Sequence, residues 1–215
     1  MLNESTPPEG RLTRRDSQRK YRAILAAGTK LFIERGYVQT SMDAVSQEAS
    51  VSKRTVYVHF NSKEELFSAV VRGLCNEVVP EEVSHLGSPD GGPLEVLTEL
   101  GAVFLTSIYT PEMVSLFQMI VSDSRQFPEI GKMFLDGPVR RSQGIIHAYL
   151  QAQMKLGKLH FKQPDLAAVQ FMGMLKTDLQ MRLLFSQKIK LTRAKLHEIA
   201  ACTADLFLHG AAARG

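Results

Sequence analysis

The sequence predicts an all-α protein of about nine helices, and three observations carry that prediction. Apolar residues recur at helical spacing along most of the chain. Pro111, Pro128, Pro138 and Pro164 stand at or near the starts of such runs, where proline is tolerated. No period-2 strand run, hairpin turn or internal repeat is visible.

The first helix is read over 17–35, where Tyr21, Ile24, Leu25, Gly28, Leu31 and Phe32 share a face and Gly36 suits a left-handed terminus. Thr40 and Ser41 offer capping oxygens to a short helix from Met42 to Ala49. The break Ser50-Val51-Ser52 precedes a third helix from Lys53 to Phe60. Ser62-Lys63-Glu64-Glu65 then fits a capping box: Ser62 accepts from the Glu65 amide and the Glu65 carboxylate reaches back. That fourth helix is expected to run to about Val79 and to meet a Gly- and Pro-rich loop over 80–93. Further helices are expected at about 94–109, 111–125, 128–136, 138–156, 164–186 and 192–209.

Composition narrows the function classes. Of 215 residues, 44% are hydrophobic and 22% charged, which excludes disordered, collagen-like and disulfide-scaffold chains. No apolar run approaches the roughly 20 residues of a membrane helix. MLNESTPPEGRLTRR has no apolar signal-peptide region. A cytoplasmic protein with no membrane partner is expected. Cys75 and Cys202, 127 residues apart, form no CxxC or Cys/His spacing, so they read as buried thiols. GxxxxGK[ST], GxSxG and HExxH are absent, and His197-Glu198 is followed by Ile-Ala-Ala. His85, His147, His160 and His209 are scattered. Without an acid, base or nucleophile constellation, no enzyme, metal site or cofactor is expected.

Charge is asymmetric. Residues 1–74 hold 12 Lys+Arg and 8 Asp+Glu, net +4, while the remainder holds 14 of each. Arg11, Arg14, Arg15, Arg19, Lys20 and Arg22 face one anion, Asp16, a clustering suited to a polyanion. The adjacent pair of short helices has the plan of a helix-turn-helix, whose second helix reaches base edges in the major groove. Val45, Ala49, Val51, Val56 and Phe60 would lock the pair, leaving Lys53, Arg54, Thr55, Tyr57 and His59 on or near the outer face.

Gly36-Tyr37, Thr40-Ser41-Met42-Asp43-Ala44-Val45, Ala49 through Phe60 and Ser62-Lys63-Glu64-Glu65-Leu66 together closely resemble the DNA-binding domain of TetR/AcrR-type transcriptional regulators. Downstream, Phe127-Pro128-Glu129-Ile130 with Phe134, Gly157-Lys158-Leu159 and Asp165-Leu166-Ala167-Ala168 resemble the ligand-binding half of an AefR-like or AcrR-like subgroup. Two positions depart from the pattern: Ser50 stands where the family usually has Gly, and Ser46 where it has Ala. A left-handed serine would cost about 1–2 kcal/mol.

The resemblance implies a flexible basic arm over 1–16, a three-helix helix-turn-helix DNA-binding domain over 17–62, a connecting helix over 63–80 and an effector-binding and dimerisation domain over 81–215. Carried over by position, Ser52, Lys53, Arg54 and Thr55 become base-contact candidates, with Arg54 or Lys53 suited to guanine O6/N7. Tyr57 and His59 match backbone-contacting positions. Lys63, at a helix N-terminus, suits a phosphate, as do Thr40 and Ser41 beside their caps. Arg15 and its neighbours would lie by the backbone or in a minor groove.

One helix-turn-helix covers few base pairs, so a homodimer on a palindromic double-stranded operator is expected. Equivalent helices in relatives form an intersubunit bundle, which makes Leu175, Leu179, Leu183, Ile199, Thr203 and Leu206 interface candidates. The resemblance also implies a pocket for an unidentified, largely apolar effector, with Phe104, Met113, Phe117, Phe134 and Met172 as lining candidates. A homodimeric repressor released by that ligand is the expectation. The alternatives are a ligand-independent or activating regulator, or a nonspecific DNA-binding protein.

Overall fold

A computed structural model describes residues 14–76 and 92–210, all helices and connections, with no strand among them. The expected loop over 80–93, apart from its last residues, and the arm before Arg14 lie outside the described residues. The chain forms two compact units, residues 1–70 and 71–215.

The first unit contains α1 (Arg14–Gln39), α2 (Met42–Glu48), α3 (Lys53–His59) and the start of α4 (Lys63–Asn76). Its buried aromatic cluster joins Phe32, Tyr37 and Phe67, with ring centroids 5.2–5.7 Å apart. Leu66 packs over Gly28, where a Cβ would stand 3.3 Å from the leucine carbons. Gly36 takes φ 82° and ψ 167°, so α1 bends sharply at the residue expected to end it. Arg14, Arg15 and Asp16, assigned to a flexible arm, instead form the first turn of α1. Asp16 accepts from Arg19 at 2.9 Å and pairs with Lys20 at 3.2 Å, which favours that turn.

The turn between α2 and α3 is a Schellman motif. The Ser50 amide donates to the Gln47 carbonyl at 3.1 Å and the Val51 amide to the Ser46 carbonyl at 3.0 Å. The geometry requires a left-handed residue, and Ser50 supplies it at φ 52°. Ser52 then caps α3, its Oγ accepting from the Thr55 amide at 3.1 Å. The capping box of α4 forms with one change. Ser62 Oγ accepts from the Glu65 amide at 3.2 Å, but the Glu65 carboxylate reaches one residue farther back, to the Asn61 amide at 2.8 Å.

The second unit runs α5 (Pro93–Ile108), α6 (Pro111–Asp123), α7 (Pro128–Phe134), a π-turn (Leu135–Val139), α8 (Arg140–Lys155), α9 (Pro164–Lys176), α10 (Leu179–Leu184) and α11 (Arg193–His209). Leu97, Leu100, Leu150, Phe171, Leu175 and Ala200 are fully or nearly buried at its centre. Close approach there is set by Gly101, whose missing Cβ would meet Leu175 Cδ2 at 2.9 Å and Ala200 Cβ at 3.2 Å.

Two elements differ from expectation. No break separates 128–136 from 138–156: α7 passes through the π-turn, which contains Pro138, into α8. The wider turn accommodates a residue that has no amide hydrogen to give. Conversely, the helix expected over 164–186 is broken. Thr177 adopts φ 48° and ψ −149°, ending α9, and α10 closes in a further Schellman motif at Ser186, φ 57°. Carbonyls at the break find side-chain donors: Tyr109 Oη donates to the Lys176 carbonyl at 2.9 Å, and Gln118 Nε2 to that of Leu183 at 2.8 Å. Among the described residues no single helix is long and apolar enough to cross a membrane.

Replacing Ser50 with glycine removes the left-handed penalty of about 1–2 kcal/mol, offset by roughly 0.4–1 kcal/mol of extra unfolded-state entropy. The Ser50→Gly variant is therefore expected to gain about 0.5–1 kcal/mol in urea unfolding. An unchanged or lower midpoint would contradict the strain assigned to this turn.

Candidate nucleic-acid interface and ligand cavity

Val56 and Phe60 turn the inner side of α3 into the first unit's core. Positions three and four apart share a helix face, so Lys53, Arg54, Tyr57 and Val58 form the outer one. Tyr57 is 43% exposed and Val58 68%. The sequence reading missed Val58 because a valine between two apolar anchors reads as core; its spacing of four from Arg54 was the available signal.

The cations on this face differ in their commitments. Lys53 Nζ lies 2.8 Å from Asp43 Oδ1 and 3.0 Å from Oδ2, tying α3 to α2. The hydrogen bond to Asp43, reinforced by its charge, holds the ammonium above the ordinary lysine value. Arg54 is exposed, and its guanidinium has no hydrogen bond or ion pair among the described residues. Ser52 and Thr55 hydroxyls lie 2.8 Å apart, so both belong to the helix cap.

Flanking residues divide in the same way. Ser41 is exposed and its Oγ accepts from the Ala44 amide at 3.1 Å. Thr40 requires correction: it is buried, it does not cap α2, and its Oγ1 lies 2.8 Å from the Gly36 carbonyl and 3.1 Å from that of Leu31. The bend at Gly36 turns these carbonyls inward, and Thr40 satisfies them. His59 is half-buried with Nε2 enclosed, packed edge-on to Tyr21 of α1 at 5.9 Å. It belongs to the α1–α3 packing rather than to the outer face. Lys63 donates to the Tyr37 carbonyl at 2.9 Å with its ammonium 4.3 Å over the Tyr37 ring, which fixes it at the start of α4. Arg15 is exposed in the first turn of α1.

The second unit holds a partly open cavity of about 510 Å³, within the range of small-molecule sites, with Arg72 and Arg141 exposed at its wall. Phe104, Met113, Phe117, Phe134 and Met172 all line it. Phe117 and Phe134 face each other at 5.7 Å. Polar lining residues that the sequence reading did not select include Arg72, Tyr109, Arg141 and Lys176. Burial, with the Asp178 charge adding to it, pushes the Tyr109 phenol up, so it remains a donor to the Lys176 carbonyl. The break after Lys176 is what sets Leu183 and Leu184 beside the cavity.

The interface candidates separate by burial. Leu175 and Thr203 are buried within the chain itself, Leu175 against Gly101, and cannot present themselves to another copy. Leu183 lines the cavity. Leu179 and Ile199 are half-buried, while Leu206 is 47% exposed. Leu166 and Val169 on α9 are similarly exposed apolar residues.

Residues 24–70 match the family described as bacterial regulatory proteins, tetR family, and residues 95–210 match the AefR-like transcriptional repressor, C-terminal domain. The chain belongs to the TetR family of transcriptional regulators. Over 123 residues it is 28% identical to the HTH-type transcriptional regulator AcrR of Shigella flexneri, a match covering 57% of this chain and 56% of that protein. The chain thus spans little more than half the length of that relative. A TetR-family transcriptional regulator from Mesorhizobium loti has a crystal structure that superposes with a TM-score of 0.78 at 29% identity, covering 91% of this chain and 97% of that one. The flavonoid-responsive regulator FrrA superposes at 0.72 with 26% identity, covering 89% and 96%. These relatives are transcriptional regulators, not enzymes.

Thr40→Val keeps the shape and deletes the hydroxyl bonded to the α1 carbonyls, so urea unfolding is expected to show a loss of about 1 kcal/mol. No change in stability would return Thr40 to the list of groups available to DNA.

Proposed function

We infer that this regulator is a homodimeric repressor that binds a palindromic operator through α3 and is released when a small, largely apolar molecule fills the cavity. The observation that carries the release is the course of α4. Lys63 begins it, and Arg72, two turns on, lines the cavity. A ligand that shifts Arg72 therefore acts on the helix that carries Lys63.

On the DNA side, Arg54 is the cation suited to a guanine edge, and Val58 adds an apolar contact suited to a thymine methyl group. Tyr57, Lys63, Ser41 and Arg15 supply phosphate contacts, which position α3 without reading sequence. Lys53 can join them by exchanging Asp43 for a phosphate. Exposed Leu166 and Leu206, with half-buried Leu179 and Ile199, support pairing of two copies through α9, the start of α10 and α11. The family description as a repressor domain supports the sign of regulation. FrrA's responsiveness to flavonoids supports the existence of an effector, whose identity is not carried over. Cytoplasm, where the operator lies, is the inferred location.

Ligand must bind the DNA-incompetent form more tightly, and a coupling of about 1–3 kcal/mol would weaken operator binding roughly 5- to 150-fold. Selection of duplexes from a randomised library at near-physiological salt is expected to enrich a palindrome bound about 10³-fold or more over scrambled DNA. Arg54→Ala should cost about 1–3 kcal/mol on the selected duplex and relax preference at one position in each half-site. Equal, steeply salt-dependent binding to all duplexes would instead favour the nonspecific reading.

A further inference from the structure

The cavity combines an apolar body with charges of one sign. Arg72, Arg141 and Lys176 line it, the other polar lining among the described residues comes from neutral groups such as Tyr109, Ser142 and Gln180, and no Asp or Glu is among the described lining residues. Asp178, the nearby carboxylate felt by Tyr109, is paired with Arg182 and does not line the space. A wall that carries cations and no described carboxylate repels an organic cation and attracts an anion. Low-dielectric walls concentrate the field of like charges within such a space.

Lys176 stands out among the three. It ends α9, where the chain breaks at Thr177, and it is half-buried at the cavity wall. Its ammonium has no hydrogen bond or ion pair among the described residues. Burial alone holds the amine below the ordinary lysine value, the behaviour of a charge taken from water without a partner. The carbonyl of the same residue is anchored by Tyr109, so the position of the side chain's root is set.

We propose that the effector is an amphiphilic organic anion, with an apolar body among Phe104, Phe117, Phe134 and Met172 and a single oxyanion group seated on Lys176, with Arg72 and Arg141 supplying the surrounding positive field. This rests on the reading of the cavity as the effector site and adds the charge class of the ligand. Carboxylates and phosphate esters share the required chemistry.

Calorimetric titration of the full-length protein tests it with matched probes: decanoate against decan-1-ol and decyltrimethylammonium, and 2-naphthoate against 2-naphthalenemethanol. At least one anion is expected to bind about ten- to a hundredfold more tightly than its neutral counterpart, the range of a charge-assisted hydrogen bond in a partly buried site. Lys176→Met should remove most of that preference while leaving the affinity for the alcohol unchanged, and Lys176→Arg should restore it. Equal or tighter binding of the alcohol or the ammonium, binding of neither anion, or a preference that survives Lys176→Met would overturn the proposal. Operator occupancy, followed by fluorescence anisotropy in the same samples, separates this from release. Anion-selective binding that leaves the operator occupied upholds the ligand class and removes the release mechanism.

Discussion

The second unit depends on a hydrogen bond from a phenol to a helix end. Were residues 164–186 one continuous helix, Lys176 and Leu183 would follow each other along a straight rod. Instead the chain turns at Thr177, and the carbonyl of Lys176 would be left without a helical partner. The hydroxyl of Tyr109 fills that role, and its burial keeps the proton in place. Gln118 does the same for the carbonyls of Leu183 and Leu184 at the far end of α10. With both ends satisfied, the short helix can turn its leucines to the cavity. The space exists because the polar cost of breaking a helix has been met by donors from two others.

In the first unit a comparable economy governs the recognition helix. Seven residues make a helix too short to be stable alone. It is held by Val56 and Phe60 in the core, by the Ser52 cap, and by the Asp43–Lys53 pair to α2. The turn that aims it accepts a left-handed serine, so local strain is tolerated in exchange for orientation. What remains outward is a small surface: Lys53 in its pair with Asp43, an arginine with no partner among the described residues, an aromatic donor and a valine. Its chemistry combines a bidentate donor with a methyl-bearing contact, which can distinguish base pairs along the major groove.

Much of this was legible beforehand because it is local. Capping serines, glycine at a bend, proline at helix starts and apolar spacing act within a few residues, and the helices began and ended close to where those signals stand. The cavity candidates Phe104, Met113, Phe117, Phe134 and Met172 were also accessible, as flexible and aromatic residues concentrated in one stretch. The errors share a different cause. Thr40 read as a cap until the bend at Gly36 brought two carbonyls onto its hydroxyl. His59 read as a surface donor until Tyr21 covered it. Leu175 read as an interface residue until Gly101 of a distant helix received it.

By itself, the sequence determined the helical class, the helix-turn-helix with its outward cations, and the family, because each follows from spacing and from side-chain chemistry within a helical turn or two. Tertiary structure decided which apolar residues face a cavity, the core or the surface, and which polar groups are already satisfied. Those outcomes depend on partners about 25 to 75 residues away, as in Tyr37 with Lys63, Tyr109 with Lys176 and Gly101 with Leu175. A periodicity identifies the face of a helix, but only the neighbour that packs on it decides what that face does.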